Sequence, residues 1–104
     1  MPAYRLDIPP HVAEILRHLP PELKRPIKSA LQALGCDPAL GEPLQRDLKG
    51  LWKYRVRRFR IVYAVDPRGR VLRVFAVGRR QTIYEEVAEL VRVRGDQPAA
   101  ETAP

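Results

Sequence analysis

Two nearly unbroken apolar runs, RIVYAV at 60–65 and VLRVFAV at 71–77, stand on either side of DPRGR. Each run has strand length and is rich in β-branched and aromatic residues, and the segment between them carries Pro and Gly where a hairpin turn needs them. Runs so nearly all apolar suit central strands covered on one face by helices. Immediately upstream, WKYRVR at 52–57 alternates instead. Period two puts Trp52, Tyr54 and Val56 on one face and Lys53, Arg55 and Arg57 on the other. Three strand signals in succession constrain the second half of the chain to an antiparallel meander.

The first half supplies the cover. AYRLDI at 3–8 reads as a short strand. PPHVAEILRHLP then sets Val12, Ile15, Leu16 and Leu19 at helical spacing, with proline in the first turn, where its missing N–H costs nothing. In PPELKRPIKSALQALG a second apolar stripe runs through Leu23, Ile27, Ala30, Leu31 and Leu34, and Gly35 is a natural stop. Pro26 falls inside this stripe and predicts a kink or a delayed helix start. The two helices, joined by LPPE, read as an antiparallel helical hairpin. A Pro- and Gly-punctuated connector with one helical turn fills 36–50, and QTIYEEVAELVRV at 81–93 reads as a final helix.

The predicted order is therefore β-α-α-β-β-β-α. It describes an α+β fold: an N-terminal strand added at one edge, the helical hairpin, a curved antiparallel sheet of three further strands, and a C-terminal helix. Residues 1–94 make a single domain, and 95–104 a flexible tail without apolar periodicity.

Charge narrows the function. Between Arg46 and Arg80 stand twelve Lys and Arg residues and two acids, a net of +10, against −3 for the rest of the chain. Such concentration points to a polyanion or an acidic partner. The one cysteine, Cys36, permits no internal disulfide and suits a reducing cytoplasm, and no run approaches the length of a membrane span. His11, His18 and Cys36 lack the spacing of a metal-ligand set, no glycine-rich phosphate loop is present, and no cofactor is implied.

A cationic sheet face can also do chemistry on RNA. Attack of a 2′-hydroxyl on the adjacent phosphate needs a proton acceptor, stabilisation of charge on the phosphorane-like transition state, and a proton for the leaving oxygen. Arginine cannot act as the base, but its forked donors suit the charge. Lys53 or Tyr84 would have to move protons.

LKGLWKYRVRRFRIVYAV followed by VFAVGRRQTIYEEVAELV resembles the RelE/ParE superfamily of bacterial type II toxin–antitoxin systems. Leu48, Gly50, Trp52, Tyr54, Arg55, Arg60, Tyr63, Val77, Gly78, Arg80 and Tyr84 carry the resemblance, which covers roughly residues 3–93. It implies a microbial ribonuclease-like fold and a toxin that cleaves mRNA in the ribosomal A site without a metal, repressing translation until a cognate antitoxin masks it with an acidic and apolar tail. By the same resemblance, Arg60 and Arg80 stabilise the transferring phosphate, Tyr84 orients or protonates, and Lys53 and Arg55 serve as base and phosphate clamp. Lys49, Arg57, Arg58 and Arg79 are expected to bind RNA or antitoxin. Where the family prefers a Gly-Asp-Tyr turn, this chain has Arg57-Arg58-Phe59. The alternatives are a ParE-like toxin that inhibits DNA gyrase by protein contact, and a basic nucleic-acid-binding module without catalysis.

Overall fold

The computed structural model describes residues 3–79 and Val87. In chain order the elements are β1 (Arg5–Asp7), α1 (Pro10–Arg17), α2 (Pro21–Cys36), β2 (Glu42–Pro43), β3 (Trp52–Val56), β4 (Phe59–Asp66) and β5 (Val71–Arg79). Short 3-10 turns at Pro38–Leu40 and Arg46–Leu48 flank β2. Beyond Val87, which is helical and buried, the expected C-terminal helix and the tail lie outside the described residues.

The sheet runs β1-β5-β4-β3-β2. β3, β4 and β5 form the anticipated antiparallel meander, and β1 adds at the edge beside β5. That pairing is parallel, so the sheet is mixed. Because β1 and β2 occupy opposite edges, α1 and α2 carry the chain across the whole sheet and cover one face. α2 is continuous from Pro21 despite Pro26, so the start is not delayed. It closes one residue past Gly35, whose carbonyl accepts the N–H groups of Ala3 and Tyr4 at 3.0 and 2.9 Å. Asp7 and Arg73, directly opposite in the β1–β5 register, add an Nε–Oδ2 ion pair of 3.0 Å.

Two cores sandwich the sheet. On the helix side, Val12, Ile27, Leu31 and Leu34 pack on Val56, Ile61, Tyr63, Leu72, Val74 and Val77. Each fully buried aliphatic side chain contributes about 2 kcal/mol of transfer free energy. On the other side Leu51, Val62, Ala64, Phe75, Ala76 and Val87 form a second cluster under Leu44 and Leu48. The face opposite the helices is therefore not wholly cationic.

One irregularity sets the phase of β5. Val62 pairs with Ala76 but Tyr63 with Val74, leaving Phe75 as the extra residue of a bulge. Phe75 and Ala76 consequently share one side of the sheet. The Phe75 carbonyl is not stranded, since it lies 3.1 Å from His11 Nε2 on α1, where the ring N–H can donate to it.

Candidate functional site: a cationic groove on β3 and β4

Alternation in β3 sends Trp52, Tyr54 and Val56 toward the helical core and Lys53 and Arg55 to the opposite side, as their spacing predicts. Arg55 pairs with Arg60 across the β3–β4 ladder, and Lys53 with Val62. Arg60 therefore stands on the same face as both cations. Like charges placed directly opposite one another cost stability. An anion bound between them would offset that cost.

On the other flank Lys53 pairs with Glu42 of β2, and their side chains meet at 3.7 Å from Nζ to Oε1. Residues 40–42, 53–55 and 60 line an open groove of about 380 Å³. Glu42 is its one carboxylate among the described residues. The site thus unites two guanidinium groups for phosphate charge with a carboxylate able to accept a proton and an ammonium beside it. Sequence reasoning missed Glu42. It lies in a punctuated connector whose two-residue strand has no periodicity to reveal its partner. Among the described residues no group of three or more His, Cys, Asp and Glu gathers as a metal cluster.

The groove wall is fixed from inside the protein. Tyr63 has no solvent exposure, stacks on Trp52 with ring centroids 6.3 Å apart, and donates its hydroxyl to the Pro38 carbonyl at 2.6 Å. Burial pushes that hydroxyl from 10.0 up to about 12, against a smaller lowering by the Gly41 backbone, with Asp37 and Tyr54 adding to the rise. A β-carbon on Gly41 would run into the Tyr63 hydroxyl and the Lys53 carbonyl. Glycine here lets the segment carrying Glu42 lie tight against β3. Tyr63 is therefore the core aromatic that its register predicts, and it also positions the groove.

Arg57 departs from its predicted face. β3 ends at Val56, and Arg57 and Arg58 form a two-residue turn to Phe59. Arg57 adopts φ 56°, the left-handed backbone that glycine takes most easily, at the position where the resemblance expects glycine. Its carbonyl accepts from Arg55 Nε at 3.1 Å, and its own Nη1 donates to the Glu22 carbonyl at 3.3 Å on the helix side. Arg58 is exposed at the tip.

Arg79 also falls on the wrong side for the groove. It pairs with Phe59, which packs on the helical core, whereas Gly78 lies opposite Arg60. Without the bulge at Phe75, Arg79 would share a face with Arg60. The extra residue reverses the alternation. Lys49 is exposed in the segment that covers the second core and does not line the groove. Arg80 and Tyr84 lie outside the described residues. Of the expected site residues, the structure brings together Lys53, Arg55 and Arg60.

Comparison with known proteins follows the geometry. Residues 8–84 match the family model described as the ParE toxin of type II toxin–antitoxin systems, parDE. No curated protein sequence matches the chain. Among solved structures, the free state of a doubly substituted Escherichia coli RelE toxin shares 24% identity over 86% of this chain and 98% of its own, at a TM-score of 0.71. The RelBE2 toxin–antitoxin complex from Mycobacterium tuberculosis matches at 24% identity, over 77% of this chain and 94% of that one, with a TM-score of 0.69. A YoeB/ParE toxin from Agrobacterium tumefaciens matches at 21% identity, over 73% and 98%, with a TM-score of 0.65.

Proposed function

This chain belongs to the ParE toxin family of type II toxin–antitoxin systems, and we propose that within the RelE/ParE superfamily it is a metal-independent endoribonuclease that cleaves mRNA on the ribosome. The observation that carries this reading is the Arg55–Arg60 pair, set across β3 and β4 and facing the groove that holds Lys53 and Glu42. Opposed guanidinium groups beside a carboxylate supply both the charge stabilisation and the proton acceptor that such a cleavage needs.

In this reaction Glu42 takes the proton of a 2′-hydroxyl. The freed oxygen attacks the adjacent phosphorus, while Arg55 and Arg60, together with Arg80, bind the charge accumulating on the non-bridging oxygens. Lys53, whose Nζ lies 3.7 Å from Glu42 Oε1, positions that carboxylate. The bond to the 5′-oxygen breaks, that oxygen takes a proton from Tyr84, and the products are a 2′,3′-cyclic phosphate and a 5′-hydroxyl. No metal is required because guanidinium groups supply the positive charge.

The partner is a cognate antitoxin whose acidic and apolar segment lies over the same groove. Leu40, 47% exposed at the groove rim, offers the apolar contact beside the cations. The Mycobacterium tuberculosis relative was solved as the RelBE2 toxin–antitoxin complex, and a further similar structure is the intact Escherichia coli RelBE complex.

Induced expression with mapping of RNA 5′ ends tests the reading. Cleavage within translated codons, abolished by Arg60→Ala while circular dichroism stays unchanged, is the expected result. Intact mRNA accompanied by DNA damage would instead establish the gyrase-directed alternative.

A further inference from the structure

The end of the sheet remote from the groove carries a second set of arginines. The β4–β5 turn, DPRGR, presents Arg68 and Arg70, and the Arg5 backbone N–H donates to the Arg70 carbonyl at 2.8 Å. All three side chains are exposed, and among the described residues none has an ion-pair or hydrogen-bond partner. The adjacent acids are occupied. Asp66 Oδ1 accepts the N–H groups of Arg68 and Gly69 at 3.2 Å each, and Asp7 pairs with Arg73. Arg70 is held at φ 54°, a backbone that glycine would adopt without strain. Three arginines without a side-chain partner among the described residues thus stand at one end of the sheet, one of them against its backbone preference.

We propose that Arg5, Arg68 and Arg70 form a second phosphate-backbone site, which grips a structured segment of ribosomal RNA while the groove holds the substrate strand. This rests on the RNA-directed reading above. From Arg60 to Asp66 is six residues of β4, on the order of 20 Å, so one short strand does not bridge the two sites but a folded RNA does. RNA fits this surface better than an acidic protein segment. Exposed arginines on a polar turn suit phosphate contacts, whereas protein interfaces centre on apolar anchors, and the large hydrophobic exposed among the described residues is Leu40, in the other site.

The test places Arg5→Gln, Arg68→Gln and Arg70→Gly together in an Arg60→Ala background, which stops cleavage. Glycine suits the left-handed backbone at 70, so the melting temperature should hold or rise. Binding is measured to 70S ribosomes, to a uridine trinucleotide and to polyglutamate, across a salt series. Ribosome affinity at 0.15 M salt is expected to fall roughly tenfold, and the slope of log affinity against log salt to shrink by about two, since each lost phosphate contact removes about 0.7–0.9. Trinucleotide binding stays unchanged. Equal ribosome affinity and slope would overturn the second site and leave the groove reading intact. So would a loss confined to polyglutamate, which would mark an acidic protein partner. A parent protein that neither binds ribosomes nor, with Arg60 restored, cleaves RNA would remove both readings.

Discussion

Arg57 Nη1 donates to the backbone carbonyl of Glu22, in the first turn of α2. The position of that acceptor is explained four residues on. Pro26 has no N–H to return to Glu22, so the helix leaves a carbonyl unclaimed, and the β3–β4 turn reaches over to claim it. A proline inside a helix and an arginine in a glycine position are two halves of one contact. Arg57→Ala should therefore cost about 1 kcal/mol in urea denaturation. In a Pro26→Ala background, where residue 26 regains its N–H, the same change should cost less than half as much. Equal costs in the two backgrounds would mean that the arginine and the proline are independent.

Glu42 and Arg60 should separate binding from chemistry. Glu42→Gln removes a proton acceptor and a negative charge from a cationic groove, so cleavage should fall by about 10²-fold or more while RNA affinity holds or rises. Arg60→Ala should weaken both. Single-turnover cleavage beside equilibrium RNA binding reads the split. Retention of full cleavage by Glu42→Gln would return the base to Lys53.

Tyr63 gives the fold a pH dependence in alkali. Its hydroxyl ionises near 10.0 when unfolded and near 12 when folded. Above pH 10 the unfolded chain loses this proton while the native state keeps it, so the contribution is whole below pH 10 and is lost as pH climbs toward 12. Tyr63→Phe has no hydroxyl to ionise. Denaturant midpoints of the two proteins should converge between pH 9 and pH 12, and parallel curves would rule the linkage out.

Gly41 ties stability to the site. Gly41→Ala should destabilise by about 1–3 kcal/mol, because its methyl meets a buried hydroxyl and a backbone carbonyl. Combining it with Tyr63→Phe removes one obstacle and should recover part of the loss in thermal melts. An exposed Gly→Ala change without a clash would be close to neutral or stabilising.

The sequence reveals what period two and period 3.6 can carry. The two faces of β3, the apolar stripes of α1 and α2 and the edge position of β1 are legible because each residue's direction follows from its neighbours. The nearness of Arg60 to the face of Lys53 and Arg55 is legible because adjoining antiparallel strands place it there, and the structure pairs it with Arg55. Arg79 is misplaced because an all-apolar run hides its own phase, and the bulge at Phe75 leaves no mark in VLRVFAV. The parallel partnership of β1 with β5 and the pairing of Glu42 with Lys53 depend on contacts distant in sequence, which local patterns do not encode.

The β1–β5 pairing has a consequence for how the protein comes into being. Asp7 meets Arg73 across 66 residues, and the last strand of the meander is also the partner of the first strand of the chain. The β3–β4 hairpin, with its row of cations, can close early because its loop is short. The edge strand must wait for a long loop to close, which is the slow class of folding event. A growing polypeptide that has not yet reached Val71 therefore holds the cationic strands without the platform that aligns them, and the protein gains its working shape late in its own synthesis. Pulsed hydrogen exchange during refolding would record that order as early protection of the β3–β4 amides and late protection of the Arg5 N–H.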